Sequence, residues 1–343
     1  MKNLAAVVVT AKTPLEVQEV EMYEPGPKEL LVKNELIALN PVEAKVAKID
    51  MFKSQYPLII GGSFGGTVVA VGADVLDYKV GDKVATFSDP FTNNKYSAYQ
   101  RYALIPTEVA TKILDEKDFA TIISLVGNLP TVVGLLGAYL GLKRPYLQNT
   151  ASLPTAKKIL IYGGTSSIGS LSVQYLSQAG YQVVTTTDTD HQDFVSKLGA
   201  QKIVNHTQDP DTVIKQLVEQ GPYDIIVDII SVDETIYITS GVVKAQGGGI
   251  FYATLPPFGP EKYLADGVER KFESYPLFLD EERNSELKRW AFHTYLPQDV
   301  ANGKILPLKL KKLPGGLRAM NETLDILNKG VPCTKLLVDP WEE

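Results

Sequence analysis

Residues 159–188 read Ile159-Leu-Ile-Tyr-Gly-Gly-Thr-Ser-Ser-Ile-Gly-Ser-Leu-Ser-Val-Gln-Tyr-Leu-Ser-Gln-Ala-Gly-Tyr-Gln-Val-Val-Thr-Thr-Thr-Asp188. The order is strand, glycine turn, helix, strand, acid. Lys158–Tyr162 is a short apolar run suited to a buried parallel strand. Gly163 and Gly164 follow at once. Ile168, Leu171, Val173, Tyr175 and Leu176 supply the buried side of a helix that Gly180 stops, and Tyr181–Thr187 is a second strand rich in β-branched residues. A βαβ unit that holds a dinucleotide needs this order: the turn must be tight, the backbone must approach the pyrophosphate, and the helix N-terminus must aim free N–H groups at the anion. The usual spacing is Gly-x-Gly-x-x-Gly. Gly164 and Gly169 take the first and third places with one extra residue absorbed, and the middle place falls near Ser166–Ser167, so the motif is degenerate. An ordinary glycine-rich βα turn has similar letters, and the rest of the chain must choose between the two.

Downstream the alternation continues. A short helix at Phe194–Leu198, a strand at Lys202–Asn205, a helix at Asp211–Glu219, and strands at Ile225–Ile230 and Gly249–Ala253 read as a doubly wound parallel sheet. Leu255–Lys271 reads as loop, with Pro256, Pro257 and Pro260. Asp280–Trp290 looks helical and charged. Ile305–Leu313 and Lys335–Val338 read as strands around a helix at Leu317–Lys329. Upstream the texture differs. Leu4–Thr10, Leu15–Val20, Glu29–Leu39, Gly66–Val71, Lys83–Thr86 and Ser97–Leu104 read as strands broken by Pro and Gly, a β-rich domain. Lys117–Leu125 and Pro130–Leu140 read as helices, and Gly141–Ala156 as a polar linker.

The length of 343 residues favours two domains over one core. A net charge of −6 leaves no basic footprint for nucleic acid, so an anionic ligand would need local donors. Cys333 is the only cysteine, which excludes an intrachain disulfide and a cysteine zinc cluster and makes a reducing, cytoplasmic setting the expectation. The apolar run Leu4–Val9 is too short for a membrane span and reads as a strand, so no membrane partner is expected.

Five stretches in this order and spacing resemble the medium-chain dehydrogenase/reductase superfamily: Leu39-Asn-Pro-Val-Glu-Ala-Lys45, Gly61-Gly-Ser-Phe-Gly-Gly-Thr67, Leu129-Pro-Thr131, Tyr162-Gly-Gly-Thr-Ser-Ser-Ile-Gly169, and Gly316-Leu-Arg-Ala-Met320 with Lys335. Within it the chain is most similar to the zinc-free quinone oxidoreductase branch, and there to fungal ToxD-like proteins and trans-acting enoyl reductases. The resemblance implies an α/β protein, with a GroES-like β-rich catalytic domain over 1–125 and 290–343 and a Rossmann domain over 126–289. It implies an enzyme that uses NAD(P)H.

Zinc-dependent relatives use Cys, His and an acid or second Cys as ligands. By the resemblance Asn40 stands at the first Cys, and Gly62 and Ser63 at a His-Glu pair. His191, His206 and His293 are scattered without ligand spacing, so no zinc is expected. Nothing then lowers an alcohol pKa, and reduction of a conjugated C=C suits the site better. The resemblance places Lys45 beside the substrate carbonyl, Thr131 at the nicotinamide amide or that carbonyl, and Asn40 and Pro41 at the nicotinamide face. It places Gly164, Thr165, Ser166, Ser167 and Ile168 around the phosphates, and His206 beside the adenosine. Asp228 at a strand end, Leu255 and Pro256 in the next loop, and Lys335 would also lie near the cofactor. A solvated lysine and an ordinary helix-start threonine are the competing readings of Lys45 and Thr131.

Cofactor choice divides the signals. Fungal enoyl reductases mostly use NADPH, but Asp188-Thr-Asp-His191 follows the second strand, where an acid bonds the ribose 2′-OH and repels a 2′-phosphate. His191 is the only nearby base, so NADH is slightly favoured. The expected activity is reduction of an α,β-unsaturated carbonyl, including one presented as a thioester on a carrier protein, by a monomer or homodimer. A quinone or aldehyde reductase of the same fold, or a cofactor-binding sensor with little turnover, are the alternatives.

Overall fold

The computed structural model describes residues 2–87, 93–145, 154–257 and 259–343. The chain divides into two compact units, Met1–Leu129 with Ser285–Glu343, and Pro130–Asn284.

The first unit opens with strands β1 (Asn3–Val8), β2 (Leu15–Val20) and β3 (Glu29–Ala38), helix α1 (Pro41–Ile49), strands β4 (Leu58–Ile59), β5 (Ser63–Val71), β6 (Lys83–Phe87), β7 (Tyr102–Pro106) and β8 (Ala110–Lys112), and helix α2 (Phe119–Val126). Sequence alternation along β3 buries Leu30, Val32, Asn34 and Leu36 in turn. That strand pairs antiparallel with β5 from Leu30 to Ala38, with register shifts at Leu31/Val32 and Asn34/Leu36, and with β7 over Glu29–Lys33. Helix α1 is a local structure the sequence reading does not anticipate, although Asn-Pro-x-Glu is a helix-start signal. Asn40 is its N-cap, Pro41 opens it, and Glu43 closes a capping box. The expected strand at Ser97–Leu104 is displaced to β7. Residues 97–100 instead run between two neighbours, with the Ala98 amide donating to Gly61 O, the Tyr99 amide to Ile60 O, and Tyr99 O accepting from Ala6.

The second unit starts with α3 (Leu129–Val133), which continues as a π-helical stretch over Gly134–Tyr139. The expected linker follows, of which 146–153 lie outside the described residues. Then come β9 (Lys158–Tyr162), α4 (Ser167–Gln178), β10 (Gln182–Thr187), α5 (Gln192–Lys197), β11 (Lys202–Asn205), α6 (Pro210–Gln220), β12 (Ile225–Asp228), α7 (Asp233–Ala245), β13 (Gly249–Ala253) and β14 (Val268–Phe272). Six parallel strands stand in the order β11-β10-β9-β12-β13-β14. This is the order of a dinucleotide-binding sheet, with its reversal between β9 and β12.

Two of these elements correct the sequence reading. Helix α7 is unexpected because Thr235, Ile236, Ile238, Thr239, Val242 and Val243 are β-branched and favour strand. Tertiary packing overrides that preference. β12 and β13 pair in parallel, which requires a crossover connection, and Ile236, Ile238, Val242 and Val243 are buried in the same core as Leu160, Ile226 and Phe251. β14 falls inside the stretch read as loop. Glu269, Arg270 and Lys271 disguise it, but it pairs in parallel with all of β13, and an edge strand tolerates charge.

The chain returns to the first unit through α8 (Ser285–Trp290), α9 (Leu296–Ala301), β15 (Lys309–Leu313), α10 (Met320–Lys329) and β16 (Thr334–Val338). Of the helix expected over Asp280–Trp290 only the last six residues are α-helical. β15 begins four residues later than expected, because Pro307 has no N–H to pair. The larger sheet is ordered β15-β16-β3-β5-β6-β8, and a smaller one β2-β1-β4. Ala44 and Val46 of α1 and Met320, Leu324 and Leu327 of α10 share the core with Ala5, Val7, Phe64 and Leu336. Among the described residues no single helix is long and apolar enough to cross a membrane.

Packing is the stated cause of α7, so its two faces must respond differently. Ile238→Ala, at a fully buried position, should cost about 2–5 kcal/mol in denaturant unfolding. Tyr237→Phe, on the exposed face where the hydroxyl bonds Asp211, should cost about 1 kcal/mol or less. Equal effects would refute the assigned faces.

Candidate active site

In the second unit the glycine turn is tied to the neighbouring strand. The Gly163 amide donates to Thr186 Oγ1 at 2.9 Å and the Gly164 amide to Thr186 O at 2.9 Å. Ser166 is the N-cap of α4: its hydroxyl accepts from the Gly169 amide at 3.0 Å and donates to Gly163 O at 2.8 Å. A Cβ on Gly169 would sit 2.1 Å from Gly163 O, so only glycine lets the helix start this close to the strand. Thr165, Ser166, Ser167 and Ile168 are half-buried around this turn. A twelve-residue helix thus presents its N-terminus at the end of β9, a cradle that fits a dinucleotide phosphate.

Beside it, Asp188 follows β10. Its Oδ1 accepts from the His191 amide at 2.9 Å, and His191 Nδ1 lies 2.7 Å and 2.8 Å from Oδ1 and Oδ2. Partial burial works against ionisation of this carboxyl, but the bonds from the His191 ring and amide hold it below its ordinary range. His206 follows β11, its amide bonded to Thr187 O and its ring 6.3 Å from that of Tyr162. Asp188, His206 and the glycine turn therefore occupy the carboxyl ends of three adjacent strands, β10, β11 and β9.

Asp228 is also at such an end, but it is 0% exposed. Its Oδ1 accepts the Ile230 and Ser231 amides, and its Oδ2 the Thr235 hydroxyl. The side chain therefore builds the turn after β12, and burial pushes its carboxyl up to about 6. Leu255 and Pro256 are half-buried beyond β13. The Arg270 guanidinium holds this loop through Leu255 O at 2.8 Å and pairs with Glu261 at 2.7 Å. Thr131 is half-buried in α3.

The first unit carries a buried polar cluster at the start of α1. Glu43, 1% exposed, accepts four hydrogen bonds: Asn40 Nδ2 (3.2 Å) and the Gly62 amide (3.1 Å) on Oε1, the Asn40 amide (3.0 Å) and Tyr99 OH (2.8 Å) on Oε2. Burial raises its carboxyl against those four bonds, and burial and Glu43 together raise the Tyr99 phenol far above its ordinary value. Asn40 Nδ2 also donates to Ser63 Oγ at 3.0 Å, and Lys335 Nζ donates to Asn40 Oδ1 at 2.6 Å. Lys335 is 3% exposed, and burial pulls its ammonium down to about 8. A Cβ on Gly61, at φ 96°, would strike the Tyr99 ring at 2.3 Å, so the Gly61-Gly62-Ser63 run is shaped to admit this cluster. Lys45 lies on α1, half-buried, and burial lowers its ammonium.

The structure thus brings Asn40, Glu43, Ser63 and Lys335 together in the first unit, and gathers the phosphate turn, Asp188, His191 and His206 in the second. Lys45 belongs to the first and Thr131 to the second. Sequence reasoning missed Tyr99, Ser63 and Arg270 as polar partners. Glu43 had a usable signal in the capping-box spacing, whereas Tyr99 meets it from 56 residues away, a contact no local pattern encodes.

Comparison with known proteins agrees with this two-unit arrangement. The alcohol dehydrogenase GroES-like domain matches residues 26–115, and the zinc-binding dehydrogenase domain matches residues 167–278. The trans-enoyl reductase himH of Aspergillus japonicus is 28% identical over 315 residues, covering 91% of this chain and 89% of that protein. The trans-enoyl reductase tazE of Aspergillus terreus is 32% identical over 219 residues, covering 62% of this chain and 70% of that protein. The chain belongs to the medium-chain dehydrogenase/reductase superfamily. It is an oxidoreductase of that superfamily. The same fold is found in the quinone oxidoreductase of Pseudomonas syringae, with a TM-score of 0.73 at 20% identity, covering 98% of this chain and 99% of that one. It is also found in the CurK enoyl reductase, with a TM-score of 0.74 at 16% identity and the same coverages.

Superfamily members bind NAD(P)H, and the glycine cradle at the N-terminus of α4 fits that group. Zinc fits poorly. The amide of Asn40 and the hydroxyl of Ser63, at expected ligand positions, are bonded to each other, and neither is a preferred zinc donor. Among the described residues no three His, Cys, Asp or Glu side chains gather as a metal site would require.

Asp228 makes a pH test of this assignment. A carboxyl whose folded pKa is raised to about 6 from 3.8 destabilises the fold once ionised, so its penalty is absent below the lower value and complete above the higher. Asp228→Asn keeps an oxygen for both amides, while the Thr235 hydroxyl retains Val232 O at 3.0 Å. The variant should match wild type near pH 4, gain up to about 3 kcal/mol near pH 7, and show a flatter stability profile between. A wild-type profile unchanged by the substitution would disprove the buried charge.

Proposed function

We propose that the protein is an NAD(P)H-dependent reductase of an activated C=C bond in a small α,β-unsaturated carbonyl compound, working without metal. When bound, the nicotinamide would supply the hydride for the β-carbon. The chain's own task is to hold the carbonyl and stabilise the enolate oxygen that forms as the π electrons shift, until a proton reaches the α-carbon. The observation that carries this reading is the donor set of the first unit. Where the resemblance places the metal ligands of zinc-dependent relatives, this chain has the Asn40 amide and the Ser63 hydroxyl, with the Lys335 ammonium bonded to Asn40 and Lys45 on the helix that Asn40 caps. Hydrogen-bond donors suit an enolate and do not acidify an alcohol.

Lys45 is the proposed carbonyl electrophile. A half-buried ammonium is a stronger donor than a solvated one, because water competes less for it. Lys335 and Glu43 fix the Asn40 side chain from both ends, so Asn40 is preset at the nicotinamide face. In the second unit Thr131 is assigned to the nicotinamide amide, Thr165 and Ser167 with the α4 amides to the pyrophosphate, and His206 to the adenosine. Leu255 and Pro256 flank the nicotinamide, with Arg270 setting their backbone. Asp228 acts on this surface only through the turn it holds. The himH and tazE enzymes are trans-enoyl reductases by name, which supports an enoyl substrate; the proposed substrates include a thioester delivered on a carrier protein.

The test is oxidation of NADH and NADPH against a panel of enones, enoyl thioesters, quinones and aldehydes. Turnover confined to quinones or aldehydes would replace this proposal with the alternative reductase, and cofactor binding without any turnover with a sensor. Lys45→Ala should lower kcat/KM for enones about 100-fold and leave the Kd of the nucleotide within about twofold. Undiminished turnover removes Lys45 from the chemistry.

A further inference from the structure

The cofactor reading places Asp188 at the adenosine ribose, and a free carboxylate there would select strongly against a 2′-phosphate. This carboxylate is not free. His191 binds it twice, through its backbone amide and through an imidazole nitrogen within 2.8 Å of both oxygens. A carboxylate oxygen offers two lone pairs, so the donors on Oδ1 fill it and Oδ2 is shared. Two consequences follow. Fewer acceptor sites remain for a ribose hydroxyl, and an N–H dipole, or a full positive charge, faces the carboxylate at contact distance. His206 at the end of β11 adds a second imidazole whose field also acts on Asp188. The remaining nearby acids, Asp190 in the loop and Asp193 in the first turn of α5, are exposed and so screened by solvent.

Resting on the cofactor reading, we propose that His191 is a specificity-determining residue: by engaging Asp188 it masks the carboxylate, and the ribose subsite accepts NADPH as well as NADH. His191 does so on rigid elements. Asp188 directly follows β10, whose Thr186 anchors the glycine turn through two bonds, and His191 is the N-cap residue of α5. The pair therefore stands at a set place beside the phosphate cradle. The same geometry makes its removal directional. Without the imidazole the carboxylate regains its lone pairs and its undiminished field, and NADPH is penalised. Without the carboxylate the imidazoles remain, and NADPH is favoured.

The test measures the Kd of NADH and NADPH by fluorescence titration on the full chain, together with AMP and adenosine 2′,5′-bisphosphate as fragments that differ only at the 2′ position. Wild type should bind NADH and NADPH within roughly tenfold of each other. In His191→Gln the ratio of the NADPH Kd to the NADH Kd should rise about tenfold, and in Asp188→Asn it should fall by a similar factor. His191→Lys places a cation beside Asp188 and should return the ratio to the wild-type value or below, which loss of a merely structural α5 cap would not do. The fragments should follow the same order. A ratio indifferent to His191→Gln, or a wild type that rejects NADPH more than about 100-fold, overturns the inference while leaving the reductase intact. A wild type that binds neither nucleotide overturns the cofactor reading, and this inference with it.

Discussion

The close contact between the start of α4 and the end of β9 is the constraint on which the second unit depends. Gly169 must lie against Gly163 O, and the turn between them must reach Thr186 on the next strand. Once those approaches are made, the helix N-terminus is fixed at the edge of the sheet, and the residue after β10 is fixed beside it. The parallel order then delivers further loops to the same edge: His206 after β11, the Asp228 turn after β12, Leu255 after β13. None of these loops needs a strong preference of its own. Each is held by a backbone that the sheet has already placed, with a local bond such as Arg270 to Leu255 O or Thr235 to Asp228 to finish it.

The first unit solves a different problem. It buries a carboxylate and a lysine ammonium in a core of Val, Leu and Ala, which is tolerable only if every lone pair is used. Glu43 meets that condition with four donors, two from the backbone and two from side chains. The cluster is therefore rigid, and rigidity is what a donor set needs in order to act on a developing charge without first reorganising. Lys335, with its ammonium lowered by burial, donates to Asn40 and completes the cluster.

The two units also show how differently charge is handled. In the buried cluster, desolvation dominates and pushes carboxyl and ammonium toward their neutral forms. At Asp188, near the surface, hydrogen bonds from His191 dominate and favour the ionised carboxyl. The same residue type thus builds a turn with a raised carboxyl at Asp228 and keeps a lowered one at Asp188, according to burial and hydrogen-bond partners.

The sequence by itself determined the βαβ unit, the alternating sheet that follows it, the β-rich character of the first hundred residues and the superfamily. These rest on local periods, glycine spacing and the order of short motifs, all written along the chain. What only the tertiary structure decided is of another kind. Helix α7 exists because a parallel sheet demands a crossover, against the β-branched preference of its own residues. β14 exists because β13 offers it an edge. Glu43 is a hub because Tyr99 and Gly62 converge on it from distant segments, and Asp188 is hydrogen-bonded by His191 because the loop after β10 curls that residue back onto it. Burial and partnership depend on which segments meet, and local sequence does not encode the solvent or the neighbour that a side chain will find.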